Sequence, residues 1–156
     1  MTPEEKFATL ELQLPPAPKP IGLYRPIVVV GTLAYLSGHG PLLPDGKLIT
    51  GRVGDGIEIE TAQAAARQTG LALLATLRSH LGSLNRVKRL VKLLGMVQCV
   101  ADFTQQPAVI NGCSQLLADI WGPDHGIGAR SAVGGYALPS DMMVEIEAIF
   151  ELHAET

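Results

Sequence analysis

The sequence predicts an α+β domain: one mixed β-sheet with two helices on a single face. Three observations lead there. Short runs rich in β-branched residues flank turn chemistry in the first third of the chain, as in "IVVVGTLAYLSG". Residues 58–81 switch to helical spacing of apolar and small side chains. Strand, helix and strand patterns then alternate to the end of a 156-residue chain, a length suited to one domain with its own core.

Thr2 and Pro3, with Glu5 three residues after the threonine, have the form of a capping box with proline at the first helical position. A short helix to about Glu11 is expected. "LPPAPKP", residues 14–20, cannot pair inside a sheet or continue a helix, because proline lacks the N–H and fixes φ. Residues 1–16 are therefore set apart as an N-terminal helix and arm, and residues 17–156 as the domain. Gly31-Thr32 lies between two β-rich runs and Pro44-Asp45-Gly46 between two shorter ones, so the first third reads as antiparallel β.

In the long helix, Ala62, Ala65, Ala66, Thr69, Leu73, Thr76 and Leu77 share one face, small enough to pack closely on a sheet. "RVKRLVKLLGMVQCV" reads as a strand, and "QPAVINGCSQLLADIWG" as a helix opened by Pro107 and closed before Gly122-Pro123. Residues 129–138 and 143–152 read as two closing strands joined across Pro139-Ser140-Asp141, which sets Arg130 beside the last strand.

Composition narrows the function classes. Hydrophobic residues make up 47% against 17% charged, with a mean hydropathy of +0.25, more apolar than a soluble monomer requires. The sheet face away from the helices also needs cover, and self-association is the simplest source. No apolar run approaches the roughly 20 residues of a membrane span. The N-terminus lacks the basic-then-apolar order of a signal peptide, so a cytoplasmic location is expected.

Cys99 and Cys113 have neither metal-ligand spacing nor scaffold density, and read as reduced thiols. The four histidines are scattered, so no metal site is expected. A net charge of −3 and a pI near 5.8 argue against a nucleic-acid surface. The basic run Arg86, Lys88, Arg89 and Lys92 has no aromatic partners and reads as a solvated strand start.

Chemistry concentrates in "GARSAVGGYALPSDMMVEIEAIF", residues 128–150. Strand alternation puts Glu145, Glu147 and Ile149 on one face of the last strand, opposite Val144, Ile146, Ala148 and Phe150. Arg130 is the nearest cationic candidate, and spacing alone leaves a structural ion pair and a ligand site equally open. A guanidinium at a cleft suits a substrate carboxylate, since its planar fork makes two parallel hydrogen bonds. Glu145 nearby could orient a water or shuttle a proton.

The same segment resembles the C-terminal signature of the reactive intermediate deaminase family (Rid, also called YjgF or L-PSP endoribonuclease), roughly A-R-S-x-V followed by L-P-x-D-x-x-x-E-I-E-A. "PIGLYRP" is similar to the family's A-I-G-P-Y-S, "LSGHGPL" to S-G-Q-x-P, and "VINGCSQLL" to V-N-x-x-Y-E-x-F. The four motifs stand in register over residues 17–152. The resemblance implies a chorismate-mutase-like α+β fold assembled as a homotrimer with intersubunit clefts, and hydrolysis of enamines or imines such as 2-aminoacrylate to 2-keto acids and ammonia. It implies that Arg130 clamps the carboxylate, Glu145 positions water, Tyr24 lines the cleft, Asn111 is a pocket-side asparagine, and Ser37, Gly38, His39 and Gly40 contact the acid. No cofactor is implied, because a protonated imine already admits water.

This chain departs from the pattern three times: Ala132 stands where many members carry cysteine, His39 where they carry glutamine, and residues 1–16 extend beyond the shorter family pattern, which resembles a longer subgroup. Glu147 reads as structural, since the pattern puts the catalytic glutamate at Glu145. The alternatives are a keto-acid binding protein without turnover, suggested by Ala132 and His39, and a ribonuclease, suggested only by the older family name.

Overall fold

The computed structural model describes residues 1–155. The Thr2 hydroxyl accepts from the Glu5 N–H at 3.3 Å, and the Thr2 N–H donates to the Glu5 carboxylate at 2.7 Å. This closes the expected box and starts helix α1 (Pro3–Thr9). The helix stops short of Glu11, which takes a left-handed φ of 53°.

Glu4 fastens α1 to the domain. Its carboxylate accepts from Arg78 Nη2 at 2.5 Å and from the Leu84 N–H at 2.7 Å, while the Arg78 guanidinium lies 4.9 Å from the centre of the buried Phe7 ring. Burial alone would raise the Glu4 pKa, but the hydrogen bonds from Arg78, Leu84 and Ser83, with the Arg78 charge, carry it below the ordinary 4.5. A lowered carboxylate pKa adds stability above the unfolded value, lost as pH falls through the folded one. Glu4→Gln should therefore cost about 1 kcal/mol in urea unfolding at pH 7, for a partly exposed pair with one charged bond to backbone. The difference should shrink as pH falls below 4.5 through the lowered folded value.

Strands β1 (Ile27–Val30) and β2 (Leu33–His39) form the expected hairpin, with Gly31 at a φ of 61° in its turn. Around Pro44-Asp45-Gly46 the turn forms, but the two flanking strands do not: one bridge, Leu42 to Leu48, is all that pairs. Helix α2 (Ile59–Leu81) then crosses to β3 (Val87–Gln98), and α3 (Gln106–Gly126) to β4 (Ala129–Gly135), which runs parallel to β3. The last strand is β5 (Val144–Leu152). The sheet order is β1-β2-β5-β3-β4.

That order corrects one expectation. β4 and β5 do not pair as neighbours; β5 slots between β2 and β3, antiparallel to both, and β4 takes the outer edge of β3. The eight residues from Tyr136 to Met143 carry the chain over the end of β3. Helix α3 also departs from its expected end. Gly122 breaks the helical geometry (φ 77°, ψ 172°) where the sequence places the stop, and one further turn follows through Gly126.

All seven residues assigned to the inner face of α2 are buried except for traces, Thr76 at 4% being the most exposed. α2 and α3 meet closely: a Cβ on Gly112 would lie 2.0 Å from the Gln63 carbonyl oxygen, so only glycine fits there. Both helices cover one sheet face with the core, including Leu93, Val97, Ile146, Ala148 and Phe150. Cys99 and Cys113 are free and buried, and burial pushes the Cys113 thiol up to about 12. The other sheet face is open and partly apolar, with Val30 63% and Tyr35 43% exposed. Among the described residues no helix is long and apolar enough to cross a membrane.

Candidate functional site

Arg130 pairs with Leu93 on the β4 edge, and its side chain turns toward α3. Arg130 Nη1 donates to Asn111 Oδ1 at 2.7 Å and to Ser114 Oγ at 3.1 Å. Asn111 and Ser114 are three residues apart and so share a helix face. Asn111 was expected at the site; Ser114 was not, although its i+3 spacing from Asn111 is a signal that could have found it. Both partners are neutral, and among the described residues Arg130 makes no ion pair. Among the described residues, neither Glu145 nor Glu147 neutralises Arg130.

The guanidinium borders a cavity of about 430 Å³ walled by Leu90, Leu93, Ala118 and Ile127, with Gln115 at its side. Asn111 and Ser114 hold one nitrogen and thereby fix the plane of the group. Among the described residues, Nε and Nη2 make no hydrogen bond, which leaves one edge of the fork for an outside anion.

Glu145 lies elsewhere. It pairs with Met96 on the open sheet face, and its carboxyl rests on Gly38, where an added Cβ would sit 2.8 Å from Glu145 Cδ. Burial first, and the neighbouring Glu147 charge second, push its pKa above the ordinary 4.5. Ser37, next to Gly38, donates its hydroxyl to the Arg25 carbonyl at 2.6 Å. Tyr24 is exposed; its hydroxyl accepts from the Ile21 N–H at 3.3 Å, and its ring borders a small recess with Lys19 and Gly38. Glu147 lines a separate concavity of about 600 Å³ on the open face, with Tyr35, Ser37, Lys92, Ser131 and Ile149.

The His39 side chain turns away from the sheet face that carries Glu145. A β-bulge puts both Ser37 and Gly38 opposite Glu147, because Leu36 pairs with Ala148 and His39 with Ile146. The extra residue turns His39 to the helix side, 4% exposed, where Nδ1 bonds the Ser37 carbonyl at 2.6 Å and Nε2 bonds Thr76 Oγ1 at 2.7 Å. Burial, against the bond to Ser37, lowers its pKa and keeps the ring neutral.

Within one chain the expected residues thus fall into two separate clusters. One holds Arg130, Asn111 and Ser114; the other holds Glu145, Gly38, Ser37 and Tyr24. β3 separates β4 from β5, and Arg130 and Glu145 leave opposite faces of the sheet. Two strand spacings of about 5 Å and a three-residue offset put their Cα atoms roughly 14 Å apart. They cannot act on one small molecule from the same chain.

Comparison with known proteins agrees with this architecture. A family model described as YjgF/chorismate mutase-like endoribonuclease matches residues 4–150. The Trypanosoma cruzi protein TCP17 is 38% identical over 144 residues, covering 92% of this chain and 90% of that one. The crystal structure of Atu1372 from Agrobacterium tumefaciens, a protein of unknown function, is 37% identical and superposes with a TM-score of 0.87, covering 97% of this chain and 94% of its own. RidA from Psychrobacter sp. PAMC 21119 is 28% identical with a TM-score of 0.62, over 90% and 97% of the two chains.

Proposed function

Because the chain belongs to the YjgF/chorismate mutase-like family, we propose that it hydrolyses reactive 2-imino acids to 2-keto acids and ammonia in clefts between the protomers of a homotrimer. The observation that carries this reading is the Arg130 guanidinium, held in plane by neutral partners beside a cavity and left unpaired with any acid. The open, partly apolar sheet face supports assembly, and assembly supplies what one chain lacks: Glu145 of one protomer opposite Arg130 of another.

In that cleft Nε and Nη2 of Arg130 grip the carboxylate. Protonated at nitrogen, the imine takes water at C2, and the water loses one proton to Glu145. Glu145 returns that proton to nitrogen. The C–N bond then breaks as the hydroxyl oxygen becomes the carbonyl, and ammonia leaves with the hydroxyl proton as ammonium. The raised pKa of Glu145 makes its carboxylate a stronger proton acceptor than an ordinary glutamate. A carboxylate is needed for the first transfer, so the rate should rise with pH through a midpoint above 4.5. This chemistry needs no cofactor, and the proposed setting is the cytoplasm.

Purified protein is to be mixed with imines formed by an amino-acid oxidase, and semicarbazone formation followed. Slower semicarbazone formation than without protein supports hydrolysis; equal rates across several amino acids refute it. The separation of Arg130 from Glu145 within one chain favours one second reading, a carboxylate-binding protein without turnover. Saturable binding of 2-ketobutyrate that Arg130→Ala abolishes, with no hydrolysis, selects that reading instead.

A further inference from the structure

We propose that His39 is a positioning residue: from the inner sheet face it locks the β2 bulge at Ser37-Gly38, and so sets the Glu145 carboxyl on the outer face. The inference rests on the reading of Glu145 as the acid–base group.

One peptide unit links the two sides. On the inner side the Ser37 carbonyl takes a hydrogen bond from His39 Nδ1. A carbonyl only accepts, so Nδ1 carries the hydrogen, and Nε2 is left to accept from the Thr76 hydroxyl. Both ring nitrogens are satisfied, and the tautomer is fixed by its neighbours. On the outer side the residue that follows that carbonyl is Gly38, the floor against which Glu145 packs.

Without the bulge, His39 would share a face with Tyr35 and Ser37 and point outward. The buried ring therefore has a reason to hold the bulge: a shift in register would strip a buried imidazole and the Thr76 hydroxyl of their partners. Two further bonds hold the outer side, from Ser37 N–H to the Pro26 carbonyl and from Ser37 Oγ to the Arg25 carbonyl. Both acceptors stand just before β1; the bond to Arg25 is exposed, whereas the His39–Ser37 bond is part-buried and the His39–Thr76 bond is buried.

The groups around Glu145 are few. Glu147 shares its strand, Met96 faces it from β3, Ser37 and Gly38 adjoin it from β2, Lys19 and Tyr24 border the recess beside Gly38, and Lys92 stands farther along, across from Ile149 beside Glu147. None of them reports on His39, which lies behind the sheet, so an effect of His39 on Glu145 must travel through the bulge.

The test uses the full-length protein in three variants. His39→Leu fills the space without a polar atom, His39→Gln keeps one donor and one acceptor, and Thr76→Val removes the hydroxyl at nearly constant volume. The Glu145 carboxyl is titrated by carbon NMR, assigned through Glu145→Gln, and imine turnover is measured alongside. His39→Leu should return the Glu145 midpoint to the ordinary glutamate range and lower kcat about tenfold with KM within about twofold. His39→Gln should match wild type, and Thr76→Val should move both readouts the same way by less. A folded His39→Leu protein with the wild-type Glu145 midpoint overturns the proposal; if that variant does not fold, an unmoved midpoint in Thr76→Val does so. Absence of turnover in wild type would sink the deaminase reading alone, because the titration still decides the role of His39.

Discussion

Arg130→Ala is expected to lower kcat/KM for 2-imino acids by about 100- to 1000-fold, the loss of two charge-assisted hydrogen bonds to a carboxylate. The same change should abolish saturable 2-ketobutyrate binding in calorimetry. Arg130→Lys keeps the charge but not the planar fork, and should recover only part of the loss. Stability should barely move. Arg130 is exposed, and Asn111 and Ser114 would turn to water once it is gone, so unfolding should shift by no more than about 0.5 kcal/mol. A large fall in stability with ligand binding intact would make Arg130 a structural residue.

Glu145→Gln keeps the shape of the side chain against Gly38 and removes its capacity to take a proton. A fall of about 100- to 10,000-fold in kcat is expected, with 2-ketobutyrate affinity unchanged. Stability should change in the opposite sense. The folded pKa of Glu145 is raised, so its contribution is present below the ordinary 4.5 and is lost as pH rises through the folded value. At pH 7 the Gln variant should therefore be the more stable protein, and near pH 4 the two should converge. Activity lost while stability is gained is the pattern of a group kept for its chemistry. An equal loss of both would mark Glu145 as a packing residue.

Local features of the fold were legible in the sequence and non-local ones were not. The Thr2–Glu5 box, the Gly31-Thr32 hairpin and the buried face of α2 each depend on neighbours within a few residues, and each stands as expected. Sheet order depends on where a late strand inserts. β5 fits between β2 and β3, where its alternation buries Val144, Ile146, Ala148 and Phe150 under the helices, and that choice separated Arg130 from the strand it seemed to adjoin along the chain. The family resemblance groups His39 with Ser37 at the ligand, whereas a single extra residue at the β2 bulge turns the His39 side chain to the opposite face from Ser37. Arg130 and Asn111 do meet, in a contact that no spacing rule connects across nineteen residues.

The proposed hydrolysis requires Arg130 and Glu145 to reach one substrate from different protomers. The direct measurement mixes the Arg130→Ala and Glu145→Gln proteins, each inactive alone, then unfolds and refolds them together at equal amounts. Random assembly gives about a quarter of the clefts an intact arginine facing an intact glutamate, so about a quarter of wild-type imine hydrolysis should return. If the mixture, shown by mass to contain mixed oligomers, stays as inactive as its parts, the two residues do not share a cleft across the interface and the mechanism is wrong.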